Sequence, residues 1–274
     1  MRKIREEVLS KYSGEPSGMV TIVVTNYKKE PYLRAAIESC LNQTYKDIEI
    51  IVIDDASNKS KAFRITKGFK ANNIRFLYTS KNYGHYACCN YAMDIARGRY
   101  ITFLGADDQL KKDHVRNLLI ALELNGLSAV CSTYSRFTSS GKLLGKHGRL
   151  CEASILFDRE KFIKDIGYFH MIRFAADTEY RMRAIRFYGA RKVGILNVDS
   201  YKAITPANSL TQNPKTKLGS KIRSEYVKQF VQNIKISSKK KLRFDYKKDK
   251  LPFKLDKAFE VKGFDTGTFR ELIV

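Results

Sequence analysis

After the breaker-rich segment SGEPSG, the chain enters an apolar, β-branched run from Met19 to Thr25. Comparable runs follow at Ile48 to Asp55, Ile74 to Thr79 and Tyr100 to Leu104. Each is short and nearly continuous in apolar residues, the pattern of strands buried on both faces of a parallel sheet. Between the first two runs, Tyr32, Leu33, Ala36, Ile37, Cys40 and Leu41 recur at helical spacing, with Pro31 where a first helical turn tolerates proline. A second helical stretch covers Tyr86 to Ala96. Strand and helix in alternation predict βαβ units, whose crossovers are right-handed in nearly all known cases, so the strand ends collect on one edge. Further along, Leu110 to Leu124 reads as a helix and Ser128 to Phe137 as a strand. Gly141 to Gly148 reads as a mobile basic loop, Ser154 to Phe157 as a short strand, Asp177 to Tyr188 as a helix and Lys192 to Val198 as another strand. The expected fold is α/β, a mostly parallel, Rossmann-like central sheet with flanking helices and a basic C-terminal appendage. Its parts are an N-terminal extension over residues 1–18, a main domain over 19–207 and a basic extension over 208–274.

This topology gathers Thr25, Asn26, Tyr27, Asp54, Asp55, Asn82, Asp107 and Asp108 along a single crevice, and in open α/β sheets ligands bind beyond the carboxyl ends of the strands. The adjacent carboxylates Asp107 and Asp108 suit a hard divalent cation. Mg²⁺ usually takes only one or two protein carboxylates while phosphate oxygens fill other positions, so a nucleotide diphosphate is the natural ligand. The structural alternative is that one of the two caps a helix beginning near Gln109. Asp54 and Asp55 have a similar alternative, because Ser57 follows in a turn-like context.

A chain of 274 residues has room for a sizeable core. Its formal net charge of +23 implies anionic partners without choosing among nucleic acid, nucleotide phosphates and acidic lipid. Five cysteines without repeated spacing give neither a disulfide framework nor a zinc pattern, which suits a reducing cytosol. No apolar run approaches the ~20 residues needed to span a bilayer, so a soluble or membrane-peripheral cytoplasmic protein is expected.

Three stretches carry a resemblance. VTIVVTNYKKEPYLRAAIESCLNQTYKDIEIIVIDDAS resembles the opening of family 2 glycosyltransferases. KNYGHYACCNYAMDIARGRYITFLGADD resembles the next block, which ends in the metal-binding carboxylates, and ADTEYRMRAIRFYG resembles the block holding the catalytic carboxylate. The resemblance covers roughly Val20 to Ala203. It implies an A-type glycosyltransferase fold over 19–207 and inverting transfer of a sugar from a nucleotide diphosphate donor, with UDP the expected nucleotide. The acceptor it implies is a saccharide or lipid-linked hydroxyl in bacterial surface polysaccharide synthesis. Carried over by position, Thr25 and Tyr27 would contact the nucleoside and Asp55 the base, with Asp54 and Asn82 nearby. Asp107 would approach the ribose or sugar, Asp108 would bind Mg²⁺ or Mn²⁺, and Asp177 would be the general base. Two departures stand out: Cys89 occupies a position where many relatives have Arg, leaving Lys81 or an arginine elsewhere to replace it, and no His lies near Tyr201 to join the metal.

The residues support two acidic sites on their own terms. A single displacement needs a carboxylate on the acceptor side to take the hydroxyl proton and a cation on the other side to stabilise the leaving diphosphate. Asp177 and Glu179 point in different directions on a helix, so one of them serves as base; Asp177 is preferred, with an N-cap role as its alternative. Surface or packing roles are expected for the four histidines, His85 and His147 being those placed to touch substrate, and small-core roles for the cysteines. Between Lys239 and Lys257 nine Lys or Arg face three Asp. This run is either a solvated helix face or a dock for an anionic membrane, with Phe244 or Phe253 inserting. A sugar nucleotidyltransferase would need a Gly-rich loop that TNYKKEPY lacks. A nucleic-acid module would leave the carboxylates unexplained, so no nucleic acid is expected.

Overall fold

The computed structural model describes residues 1–205, 214–217, 219–253 and 259–274, with the backbone alone at 145–150 and 152. In chain order the elements are β1 (Arg2–Ile4), β2 (Val20–Asn26), α1 (Glu30–Leu41), β3 (Ile48–Asp55), α2 (Lys59–Lys67), β4 (Ile74–Thr79), α3 (His85–Ile95), β5 (Tyr100–Gly105) and β6 (Gln109–Leu110). There follow α4 (His114–Leu124), β7 (Ala129–Thr138), β8 (Leu143–Leu150), β9 (Leu156–Asp158), α5 (Arg159–Asp165), α6 (Ala176–Tyr188), β10 (Val193–Thr205), α7 (Lys221–Ile236) and β11 (Phe269–Leu272).

The strands form one sheet of order β1-β10-β7-β9-β5-β2-β3-β4-β11, with β6 beside β10 and β8 beside β7. Its centre is parallel: β2 pairs with β3 and β5, and β3 with β4. The chain steps from β2 to β3 to β4 in one direction, then returns to lay β5 on the other flank of β2. That reversal opens a crevice at the carboxyl ends of β2 and β5, the switch point at which such sheets bind ligands. Every residue of β2 and β3 is buried. Because successive side chains point to opposite faces, Val23, Ile51 and Ile53 pack with α3, α6 and α7, while Ile22, Ile50 and Val52 pack with α1 and α4.

Several elements differ from the sequence expectation. Residues 143–150, expected within a mobile loop, form β8, paired antiparallel with β7. The edge of β7 supplies a backbone ladder that this glycine-containing segment does not advertise through its own propensities. The helix expected from Leu110 begins at His114, because Gln109–Leu110 instead pair antiparallel with β10. Asp107 and Asp108 therefore cap no helix there.

The N-terminal and C-terminal segments, expected as extensions, each add a strand to an outer edge of the sheet. β1 pairs in parallel with β10, and β11 pairs antiparallel with β4. Tyr226, Phe230, Ile234, Leu242, Phe244 and Tyr246 are buried in the same core as α3 and α6. Lys239, Lys240, Lys241, Arg243, Lys247, Lys248 and Lys250 stay exposed between them. Phe244 is thus a core residue, and Phe253 packs against Tyr226 and His170, so neither is free to enter a lipid surface. Lys254, Lys257 and much of the polar stretch after Asn208 lie outside the described residues. Among the described residues, no helix is long and apolar enough to cross a membrane.

Candidate active site

Two carboxylates at the end of β3 are turned inward. Asp54 is fully buried; it accepts from Asn26 Nδ2 at 2.7 Å and Ser57 N at 3.2 Å, and also from the Ser57 hydroxyl. The turn alternative describes Asp54 better than contact with a nucleoside, since no part of it reaches solvent. Asp55, 2% exposed, accepts from Tyr83 N at 2.8 Å, Gly84 N at 2.7 Å and Asn82 Nδ2 at 2.7 Å. Its carboxylate shapes the loop ahead of α3 and has its oxygens occupied there. Gly84 makes the turn into α3 at φ +91°, a conformation that a side chain would strain.

At the switch point, Thr25 sits at the end of β2, and its Oγ1 lies 2.6 Å from His85 Nδ1 at the first turn of α3. Tyr27, one of the few exposed large side chains, stands on the rim. Across from it, the side chains of Asp107 and Asp108 fold back toward Gly105. A Cβ there would lie 3.0 Å from Asp107 Oδ1 and 3.4 Å from Asp108 Oδ2, so the glycine lets both carboxylates converge. Asp107 pairs with Lys29 Nζ at 3.3 Å. Asp108 accepts from the Tyr201 hydroxyl at 2.6 Å and the Ile204 amide at 2.8 Å. Burial, and then the neighbouring Asp107, push the Asp108 carboxyl far above its ordinary range. Two hard oxygen donors brought together under burial fit a divalent cation that completes its shell with phosphate oxygens. No third His, Cys, Asp or Glu joins them among the described residues.

The facing wall begins at Asp177, in the first turn of α6, where the helix dipole favours a negative charge. Around it stand His85, Tyr86 and Cys89 of α3 and Tyr226 of α7. His85 feels both Asp177 and Asp107, and so links the two acidic walls. Glu179, two residues on, is 1% exposed and engages Arg183 through both oxygens at 2.7 and 2.8 Å. Arg183 in turn donates to the carbonyls of Ile166 at 2.6 Å and Tyr168 at 2.8 Å. Glu179 is therefore a buried counter-ion, which leaves Asp177 as the carboxylate of this helix that faces the crevice.

Some residues of the site carry no sequence signal of their own. Arg173 donates to the Asn82 side-chain oxygen and, at 3.0 Å, to the Asn82 carbonyl, so it braces the loop that Asp55 organises. It lies just before α6. Lys81 instead reaches the Lys262 carbonyl at 3.4 Å. Tyr201, where no histidine was available, supplies a hydroxyl to Asp108. The side chain of His147 lies outside the described residues. Cys40, Cys88, Cys89 and Cys131 are buried thiols, as expected, and so is Cys151. Of the four non-glycine residues with positive φ among the described residues, Lys28, Ala56 and Ala175, with φ near +56°, lie within three residues of Thr25, Asp55 or Asp177, and Lys70 follows α2. Such strain gathers where the surrounding structure holds functional groups in place.

The fold and site define an α/β protein with two acidic walls about a switch-point crevice. A family model described as glycosyl transferase family 2 matches residues 21–181, more than half of the chain, and the chain belongs to that family. GlyA, a glycosyltransferase of Streptococcus pneumoniae serotype 4, is 36% identical over 124 residues, which is 44% of this chain and 18% of GlyA. WfaP of Escherichia coli, a UDP-Glc:alpha-D-GlcNAc-diphosphoundecaprenol beta-1,3-glucosyltransferase, is 34% identical over 118 residues, 42% of this chain and 46% of WfaP. The chain thus spans less than half the length of these relatives. Its A-type fold is similar to that of S. aureus TarS 1-349 solved with UDP, with a TM-score of 0.59 at 15% identity over 79% of this chain and 70% of the other.

Proposed function

We propose that the chain is an inverting glycosyltransferase that moves a sugar from a UDP-linked donor onto a hydroxyl of a saccharide or lipid-linked acceptor in surface polysaccharide synthesis. The observation that carries this reading is the placement of carboxylates: Asp107 and Asp108 end β5 on one wall, Asp177 begins α6 on the other, and His85 is within electrostatic reach of both walls. A Mg²⁺ or Mn²⁺ ion held by Asp108, with Asp107 beside it, would supply the positive charge that the departing diphosphate needs. Asp177 takes the proton of the acceptor hydroxyl from the opposite side. Tyr27 offers a ring at the rim to a nucleoside, and Lys29 keeps Asp107 in place. WfaP names a UDP-sugar and TarS was solved with UDP, which supports the choice of nucleotide.

The test is thermal stabilisation by UDP-, GDP-, CMP- and dTDP-sugars with and without Mn²⁺ or Mg²⁺, since a ligand of the native state raises its melting temperature. Metal-dependent stabilisation by a UDP-sugar that weakens in Asp108→Asn is expected. Stabilisation unaffected by chelation and by Asp108→Asn would remove the metal from the reading, and a stronger response to GDP or CMP would replace the nucleotide.

The reading includes peripheral contact with the inner face of an anionic membrane through the exposed lysines after α7. Each basic group contributes about 1 kcal/mol near such a surface, and salt screens it. Lys239, Lys240 and Lys241 replaced together by Glu should abolish flotation with anionic vesicles at low salt while sparing donor binding. Equal flotation would reject the contact.

A further inference from the structure

We infer that His85 recognises the diphosphate of the donor: Thr25 fixes its imidazole at the first turn of α3, and the ring's Nε2–H donates to a phosphate oxygen. This rests on the transferase reading above and deepens it by assigning a residue to one part of the donor. The contact between the two residues is direct, with Thr25 Oγ1 2.6 Å from His85 Nδ1. Thr25 also stands beside the paired carboxylates. It lies opposite Gly105 in the β2–β5 register, and its carbonyl accepts from the Ala106 amide at 3.0 Å. Neighbouring strands run about 4.8 Å apart, so the threonine that sets the imidazole is one strand away from the turn carrying Asp107 and Asp108. An anion drawn to a cation on Asp108 therefore arrives beside His85.

The ring has one nitrogen committed and one to offer. With the Thr25 hydroxyl donating to Nδ1, the neutral imidazole carries its proton on Nε2. Nε2 meets the Cys89 thiol at 3.6 Å, one helical turn on. Sulfur is a weak acceptor, so exchanging it for a phosphate oxygen gains a charge-assisted hydrogen bond. The side chain is half-buried, and Tyr86 packs against it edge-on at 4.9 Å, which leaves the ring both accessible and held. Three basic residues of the neighbourhood are engaged elsewhere: Lys29 pairs with Asp107 at 3.3 Å, Arg173 donates to Asn82, and Lys81 reaches the Lys262 carbonyl. α3 has neither a side-chain cap nor an acidic residue in its first turn, so its dipole adds to the attraction that His85 exerts on an anion.

The test measures binding of UDP, GDP, uridine and inorganic pyrophosphate to the full chain with Mg²⁺, by calorimetry for tight ligands and ligand-observed NMR for weak ones. His85→Phe keeps a ring and removes the donor. A hydrogen bond to a charged group corresponds to roughly a 10- to 100-fold change in affinity, so UDP and pyrophosphate should bind more weakly by that factor while uridine holds. His85→Gln, whose amide nitrogen can stand near the Nε2 position, should recover most of the loss. Thr25→Val removes the hydroxyl at nearly constant volume and should weaken the same two ligands by about 2- to 10-fold. In the parent protein, the Nε2 resonance of His85, assigned by its loss in either His85 variant, should move with pyrophosphate and stay still with uridine. Equal losses for uridine and pyrophosphate, an unchanged UDP affinity in His85→Phe, or an Nε2 resonance that ignores pyrophosphate would each overturn the assignment. A parent protein that binds none of these ligands would refute the transferase reading and the role of His85 with it. GDP bound in preference to UDP, with the same dependence on His85, would correct the nucleotide and support the role.

Discussion

Two carboxylates two residues apart on α6 should fail in opposite ways. Glu179→Gln keeps the volume of a buried side chain but removes the charge opposite Arg183, which is 2% exposed and receives both Glu179 oxygens at 2.7 and 2.8 Å. The guanidinium keeps the carbonyls of Ile166 and Tyr168 as acceptors but loses its only ion-pair partner among the described residues. Breaking a buried pair from one side costs about 3–5 kcal/mol, and at roughly 2–4 °C per kcal/mol for a chain of this size the melting temperature should fall by roughly 6–20 °C. Activity per folded molecule should survive, because Glu179 does not face the crevice. Asp177→Asn sits on a partly exposed turn, and its side-chain oxygen can still accept from Thr178 N, so its stability should change by no more than ~1 kcal/mol while transfer falls ~10²–10⁴-fold. Differential scanning fluorimetry and UDP release on the same preparations provide the comparison. A Glu179→Gln protein that melts within about 2 °C of the parent, or that loses turnover below 20 °C while Asp177→Asn keeps it, would refute the division of roles.

Phe230→Ala should lose about 3–5 kcal/mol in urea titration, because α7 fills the same core as α3 and α6; a loss under 1 kcal/mol would return residues 208–274 to an appendage. Deleting residues 266–274 uncovers the β4 edge and removes the Phe269 ring stacked 4.0 Å from Tyr91, so the shortened chain should melt earlier and aggregate by light scattering. Burial lowers the His114 imidazole to about 3, beside the Ser200 hydroxyl at 2.8 Å, against an ordinary value near 6.5. The unfolded chain therefore binds the extra proton first, and stability present above pH 6.5 drains away as the pH falls toward 3. Between pH 6.5 and 5, His114→Gln should reduce that loss by about 2 kcal/mol relative to the parent in urea melts, and parallel curves would refute it.

The central sheet was legible because β2 to β5 are buried on both faces, so apolar, β-branched residues crowd into short runs without interruption. What escaped was local sequence overridden by tertiary pairing. β8 contains Gly145 and Gly148 and owes its form to the neighbouring strand, and β1 is three residues long. α2 buries only Ala62 and Thr66, too little to raise a periodic signal, and starts on an Asn58 side chain that accepts from the Lys61 amide. α7 did carry a signal, since Tyr226, Phe230 and Ile234 recur every fourth residue, but the surrounding lysines masked it. In the site, motif position pointed to the crevice and to Asp177 as the candidate base but could not tell inward from outward carboxylates. Asp54, Asp55 and Glu179 look as reactive in sequence as Asp107 and Asp177; burial and partners separate them.

The charge balance then takes on a local meaning. A chain of net charge +23 carries its crevice carboxylates at the ends of β5 and α6, so the whole molecule attracts an anion while those carboxylates repel it locally unless neutralised. Lys29 does this for Asp107, while Asp108 has only neutral donors in Tyr201 and Ile204 directly bonded to it. Thr25 to Asp108 all fall within the stretch matched by the family model, 21–181, whereas the surroundings of Asp177 are completed by Tyr226 of α7, beyond it. On the proposed reading, packing divides the crevice unequally: the nucleotide side is built from βαβ units inside the matched stretch, and the acceptor side borrows from a helix that the match does not reach. Exchanging α7 residues facing Asp177 should therefore alter which hydroxyl is accepted sooner than which nucleotide is bound.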